Sequence, residues 1–197
     1  MTRAARVSVA VVLALAASSG VVGAQQPPDL RGIWRLDRSR SDDAVARIDQ
    51  AAGPGQVKSG GATGFKILPE GNTRSEVERV ELRDWMMGLA GQVGRLEIEQ
   101  ADEEVKLSLG EDADTVRIFY LTREHVRQDA QGRKLKCRAR LEADKLVLEE
   151  VGENGWKLAE VLTPVPANGW LTHAVRFEHP LLKEPLSLRL LYVKESK

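Results

Sequence analysis

The sequence predicts a mainly β protein: an antiparallel up-and-down barrel, with a short helix and one longer helix inserted between the first strand and a series of hairpins. Three observations carry this. After Gly94 the apolar residues recur at every second position, in short segments divided by Asp, Asn and Gly turns. Immediately before Gly94 the spacing is helical instead. Each strand-like segment is apolar on one face only, and one-sided strands joined by tight hairpins favour a sheet that closes on itself.

Taken in order, Gly32 to Leu36 (GIWRL) reads as the first strand. Ser41-Asp42-Asp43 is an N-cap cluster for a short helix over 44–51, because small polar side chains accept from the free N–H groups of a first helical turn. The segment 53–64 holds five glycines and a proline and reads as a flexible loop, and 65–68 as a brief strand before Pro69. Over 74–93, Val77, Val80, Trp85, Leu89 and Val93 recur at helical spacing, widened by Leu82 and Met86, against a charged backing. That stripe is expected to face the core.

The period then becomes two. Leu96 and Ile98 alternate with charged residues, and Val105, Leu107 and Leu109 follow after a turn. Val116, Ile118 and Tyr120 are expected to share an inward face, and a short segment ends at 128. The span 134–141 alternates most cleanly, with Leu135, Cys137, Ala139 and Leu141 in phase. Turns at 142–144, 152–155 and 168–169 separate the strands that follow, and Pro185 opens the last, Leu186 to Val193. This gives eight or nine strands with no helix between them.

The amino-terminal segment is not part of this domain. Arg3 and Arg6 precede an apolar run from Val7 to Ala17, and Val22-Gly23-Ala24 ends in a small residue, the signature of a secretory signal peptide cleaved after Ala24. The apolar run is about half the ~20 residues a membrane-spanning helix needs. No cysteine follows Ala24 to carry a lipid anchor, and no later segment reads as a spanning helix. The expected organisation is a signal peptide over 1–24 and a single barrel domain over 25–197, with a helical and glycine-rich insertion over 41–93. The expected location is periplasmic or secreted.

Lys plus Arg and Asp plus Glu number 29 each, and the signs are interleaved. That balance gives no basic field for nucleic acid or anionic lipid. Cys137 is the sole cysteine, so no intramolecular disulfide exists, and its phase marks it as a small buried hydrophobe.

Strand one with its Gly32-x-Trp34, followed by antiparallel hairpins, resembles the lipocalin and wider calycin barrels. The resemblance implies that Trp34 packs across the closed end, that Gly32 permits close backbone approach, and that an arginine of the last strand, here Arg189, stacks on the indole. A closer resemblance is to uncharacterised exported bacterial lipocalin-like proteins. It rests on Leu30, Gly32, Trp34, Leu36, Asp37 and Ser41, then Leu96, Ile98 and Gln100. It covers most of the chain after the signal peptide and implies no reaction. The Tyr-Asp-Arg ending of that family is replaced here by Tyr192-Val193-Lys194.

The reaction-bearing patterns are missing. His125, His173 and His179 stand apart, without the His or Cys spacing of a metal site, and no nucleophile elbow, phosphate-binding loop or dinucleotide fingerprint occurs. The reading is therefore a non-enzyme with no catalytic residues, metal or cofactor. Glu103-Glu104 and Glu149-Glu150 are expected at solvated turns and edges. Inward positions include Leu107, Val116, Ile118, Leu135, Leu146, Leu158 and Leu188. The candidate ligand contacts are Leu107, Ile118, Tyr120, His173 and Phe177. Such a barrel serves either as a binding protein for a small apolar or amphipathic molecule, or as a packed interaction protein whose protein partner the sequence does not name.

Overall fold

The computed structural model describes residues 27–53, 74–111, 115–129 and 132–195. The expected signal peptide, the glycine-rich loop beyond Gly53 and the brief strand at 65–68 lie outside these residues.

The first strand, β1 (Gly32–Leu36), leads into helices α1 (Ala44–Ala52) and α2 (Arg74–Gln92). Nine strands follow: β2 (Arg95–Gln100), β3 (Glu104–Leu109), β4 (Thr115–Tyr120), β5 (His125–Gln128), β6 (Lys134–Glu142), β7 (Lys145–Gly152), β8 (Lys157–Val165), β9 (Trp170–Glu178) and β10 (Leu186–Lys194). The nine strands after α2 agree with the eight or nine expected from spacing, and with β1 the ten form one sheet in the order β4-β3-β2-β1-β10-β9-β8-β7-β6-β5. Every pairing is antiparallel. Chain neighbours are sheet neighbours except β4 and β5, which lie at the two edges, while β1 pairs with β10 as well as with β2 and so joins the two ends of the strand series. The result is a nearly closed barrel. At its seam β4 and β5 share no ladder among the described residues, and the His125 ring donates through Nε2 to the Ile118 carbonyl at 2.9 Å.

The motif around β1 is a structural corner. Trp34 is 3% exposed, and its Nε1 donates to the Leu30 carbonyl at 2.9 Å. The Gln100 side chain accepts from Leu30 N and donates to the Pro28 carbonyl, both at 3.1 Å, fastening the segment ahead of β1 to β2. Gly32 has φ +133°, and a Cβ there would stand 2.9 Å from Lys194 Cε, so this position takes no larger residue without strain. After β1, the Ser41 hydroxyl donates to the Asp37 carbonyl at 2.7 Å and accepts from Leu191 N at 2.9 Å, which turns the chain towards α1.

Asp43 caps α1 as its position predicts, accepting from Ala46 N at 3.1 Å, and the helix buries Ile48, Ala51 and Ala52. Helix α2 departs from the expected core stripe. Among its described side chains Met86 alone is buried, while Leu82, Trp85, Met87 and Ala90, with Val93 just beyond the helix, are partly buried against the core. The helix is held to α1 by Arg83 Nε on Asp49 at 2.9 Å and to the strands by Tyr192 Oη on the Val93 carbonyl at 3.0 Å.

Two expectations about orientation fail here. On β4 the inward residues are Arg117 and Phe119, while Val116 and Ile118 are exposed by 52% and 36%. A strand shows one parity inward, and register with β3 fixes which one, so Val116 and Ile118 are on the outer face of β4. Arg189 is exposed, and its side chain does not cover Trp34; Lys194, paired with Trp34 across β1 and β10, holds its ammonium 5.3 Å from the indole centroid. Arg189 contributes its backbone N–H instead, to the Asp42 carboxylate at 2.8 Å.

Candidate functional site in the barrel interior

The interior is mostly aliphatic, with Leu96, Ile98, Leu107, Leu146, Leu148, Leu162, Leu171 and Leu190 fully buried. Among them sits a connected group of charged and polar side chains placed by strand parity. Glu160 lies on β8 in phase with Leu158 and Leu162. His173 lies on β9 opposite Leu162, one diagonal step from Glu160. Glu150 lies on β7 opposite Cys137 of β6. Arg117 reaches in from β4 and Arg127 from β5.

The bonds form one chain. Arg117 grips Glu160 with both terminal nitrogens, at 2.6 and 2.9 Å, and its Nη1 lies 3.8 Å from Glu150. Arg127 closes on Glu150 through Nη2 at 2.8 and 3.0 Å and Nε at 3.2 Å. His173 Nε2 stands 2.9 Å from Glu160 Oε1, and since an ionised carboxylate only accepts, Nε2 carries the hydrogen. Tyr192, fully buried, stacks near His173 with ring centroids 6.1 Å apart. Two buried nitrogens of this group make no hydrogen bond within the protein: Arg117 Nε and His173 Nδ1. Buried polar atoms of native proteins are nearly always paired, so these two mark a place where a further polar group belongs.

Burial and charge act in opposite directions on these groups. For Glu160, burial favours the neutral acid, but Arg117 and His173 prevail and hold its carboxyl well below the usual glutamate range. For Arg117, burial disfavours the cation, and Glu160 with Glu150 raises it above its ordinary value. Burial, with Glu150 beside it, pushes the Cys137 thiol up to about 11, which keeps it an inert core residue at neutral pH. Burial likewise raises the Tyr192 phenol.

A pH dependence follows. The folded state lowers the Glu160 pKa beneath the ordinary 4.5, so the stability it contributes is fully present above that value and is lost as pH falls below it. Urea denaturation of the wild type between pH 7 and pH 3 is expected to show a falling midpoint below about pH 4.5. Glu160→Gln, already weakened at pH 7, should show a shallower fall; an equal fall in both would assign the effect to other carboxylates.

The expected ligand contacts divide. Leu107, His173 and Phe177 face inward and are buried. Phe177 sits below α2 in an aromatic cluster, 5.6 Å from the Trp85 ring and 5.8 Å from that of Trp156. Ile118 and Tyr120 belong to the outer parity of β4; the Tyr120 ring carries Arg123 at 4.6 Å and the His125 edge at 4.9 Å. Glu150, expected on a solvated edge, is 2% exposed inside the barrel. The sequence reading missed Glu160, although its phase with Leu158 and Leu162 was a signal that could have found it. Arg117 and Arg127 had no such signal: Arg117 lies between the apolar Val116 and Ile118, and Arg127 stands in the short polar strand His125–Gln128. Among the described residues, no cluster of three or more His, Cys, Asp or Glu is placed to hold a metal, and no helix is long and apolar enough to cross a membrane.

No protein-family model and no curated protein matches the chain. Among solved structures it is similar to apo lipid binding protein 8 of Caenorhabditis elegans, with TM-score 0.51 and 14% identity over 84% of this chain and 94% of that one. It is also similar to fatty-acid-binding protein 1 of Echinococcus granulosus, at TM-score 0.49 and 13% identity over 85% and 98%. At such identity the likeness speaks for the fold alone. The sheet order, the paired helices after β1 and the nematode protein together give this chain a nearly closed antiparallel barrel with a fatty-acid-binding-protein-like fold.

Proposed function

We propose that the protein is an exported binding protein that holds one small apolar or amphipathic molecule inside its barrel. The observation that carries this reading is the pair of unbonded buried nitrogens, Arg117 Nε and His173 Nδ1, within an otherwise aliphatic interior. An apolar lining with a few converging polar groups is the usual make-up of a small-molecule site. Ten strands also make a wider barrel than the eight that side chains alone can fill. The lipid binding in the name of the nematode neighbour agrees with this reading. Export rests on the signal sequence at 1–24.

A second reading, a packed barrel that acts through its surface, is favoured by the complete burial of Leu107, Phe119, Leu148, Leu171 and Leu190. Native mass spectrometry of the protein purified without detergent from its own cell envelope separates the two. The binding reading expects a stoichiometric adduct of a few hundred daltons, on the order of a drug-sized ligand, that is lost on denaturation. A bare mass, unchanged after incubation with a lipid extract, would leave the packed barrel as the function.

A further inference from the structure

We propose that the molecule held in the barrel carries a neutral hydroxyl group, and that the interior selects against a carboxylate of the same length; this rests on the binding reading above and names its ligand class. The argument is one of charge and of hydrogen-bond valence. Both guanidiniums of the interior are already engaged by carboxylates of the chain: Arg117 by Glu160 on two bonds and by Glu150 at 3.8 Å, Arg127 by Glu150 on three. An entering carboxylate would be a third anion beside two cations, in a region where Glu150 and Glu160 are almost wholly buried and charge is poorly screened. A ligand ammonium would be a third cation, and it offers no lone pair to Arg117 Nε–H.

The two open atoms call for different partners. Arg117 Nε always donates. His173 Nδ1 accepts when the ring is neutral and donates when it is charged, since Nε2 is committed to Glu160 in either form. A hydroxyl is both donor and acceptor, so it serves Arg117 Nε–H and either form of His173 Nδ1 without adding charge. Both side chains bond one oxygen, Glu160 Oε1, so the two open nitrogens belong to side chains that share a single carboxylate. The aliphatic wall, including Leu162 opposite His173, then receives the apolar remainder of the molecule.

Isothermal titration calorimetry at pH 7.5 tests this with three probes of one length: decan-1-ol, decanoate and 1-chlorodecane. The chloride makes neither hydrogen bond and is at least as hydrophobic as the alcohol, so it isolates the hydroxyl from simple apolar burial. The expected result is decan-1-ol binding at least tenfold more tightly than either of the others. Glu150→Gln, which removes one interior negative charge, should narrow the gap between alcohol and decanoate. Decanoate or 1-chlorodecane within tenfold of the alcohol in the wild type overturns the hydroxyl assignment while leaving the binding function standing. Heat from none of the three overturns both.

Discussion

Arg117→Met is expected to destabilise the protein by about 3–5 kcal/mol, because it leaves the buried Glu160 carboxylate without the cation that offsets its desolvation, while Glu150 keeps Arg127. Glu160→Leu should cost a similar amount, since it strips Arg117 of both short bonds and His173 of its only one. Surface ion pairs of this chain, such as Arg31 with Asp29 or Arg140 with Glu142, are exposed on both sides and should each matter far less. The informative measurement is the double variant. If the loss in each single change is mainly that of an abandoned partner, Arg117→Met/Glu160→Leu will cost far less than the sum of the two, as removal of both members of a buried pair often does. Urea denaturation of the four proteins reads this coupling. Additive losses would mean that the two residues stabilise the barrel separately.

Trp34→Ala is the second change with a large expected effect, about 3–5 kcal/mol from the emptied volume of a large buried side chain. The indole is also a fastening point. Its Nε1 holds the Leu30 carbonyl, and Leu30 N in turn is held by Gln100, so the segment before β1 and the strand β2 meet through it. Trp34→Phe keeps most of the volume and removes that hydrogen bond, and should lose less than Trp34→Ala. Equal stability of Trp34→Ala and wild type in chemical denaturation would refute the closed-end role of the indole.

The elements were largely legible because they depend on local chemistry. The N-cap at Asp43, the helix ending by Gln92 and the switch from helical to alternating period at Gly94 follow from short-range propensity and pattern. Cys137 was readable as a core residue because its strand alternates without exception, leaving one parity for the interior. The interior polar group was half legible. His173 and Phe177 lie on the inward face of β9 as expected, and Glu160 shares its parity with leucines.

On β4 the sequence pointed the wrong way. Val116, Ile118 and Tyr120 form the more apolar parity, yet Arg117 and Phe119 face inward. Apolarity predicts facing only where burial is decided by transfer from water, and here Arg117 is held inside by two carboxylates from strands 33 and 43 residues further along the chain. The Trp34 partner shows the same dependence on register. Arg189 and Lys194 are both cations of the last strand, and only the pairing of β10 with β1 puts Lys194 opposite the indole.

The sequence by itself determined the order of elements and most of the aliphatic core, because alternation, caps and turns are written within a few residues of where they act. The tertiary structure alone decided that Arg117, Arg127, Glu150, Glu160 and His173 meet inside the barrel. Their association joins five strands, and its energy exists only when closure of the sheet buries Arg117, Glu150, Glu160 and His173 together beside the half-buried Arg127.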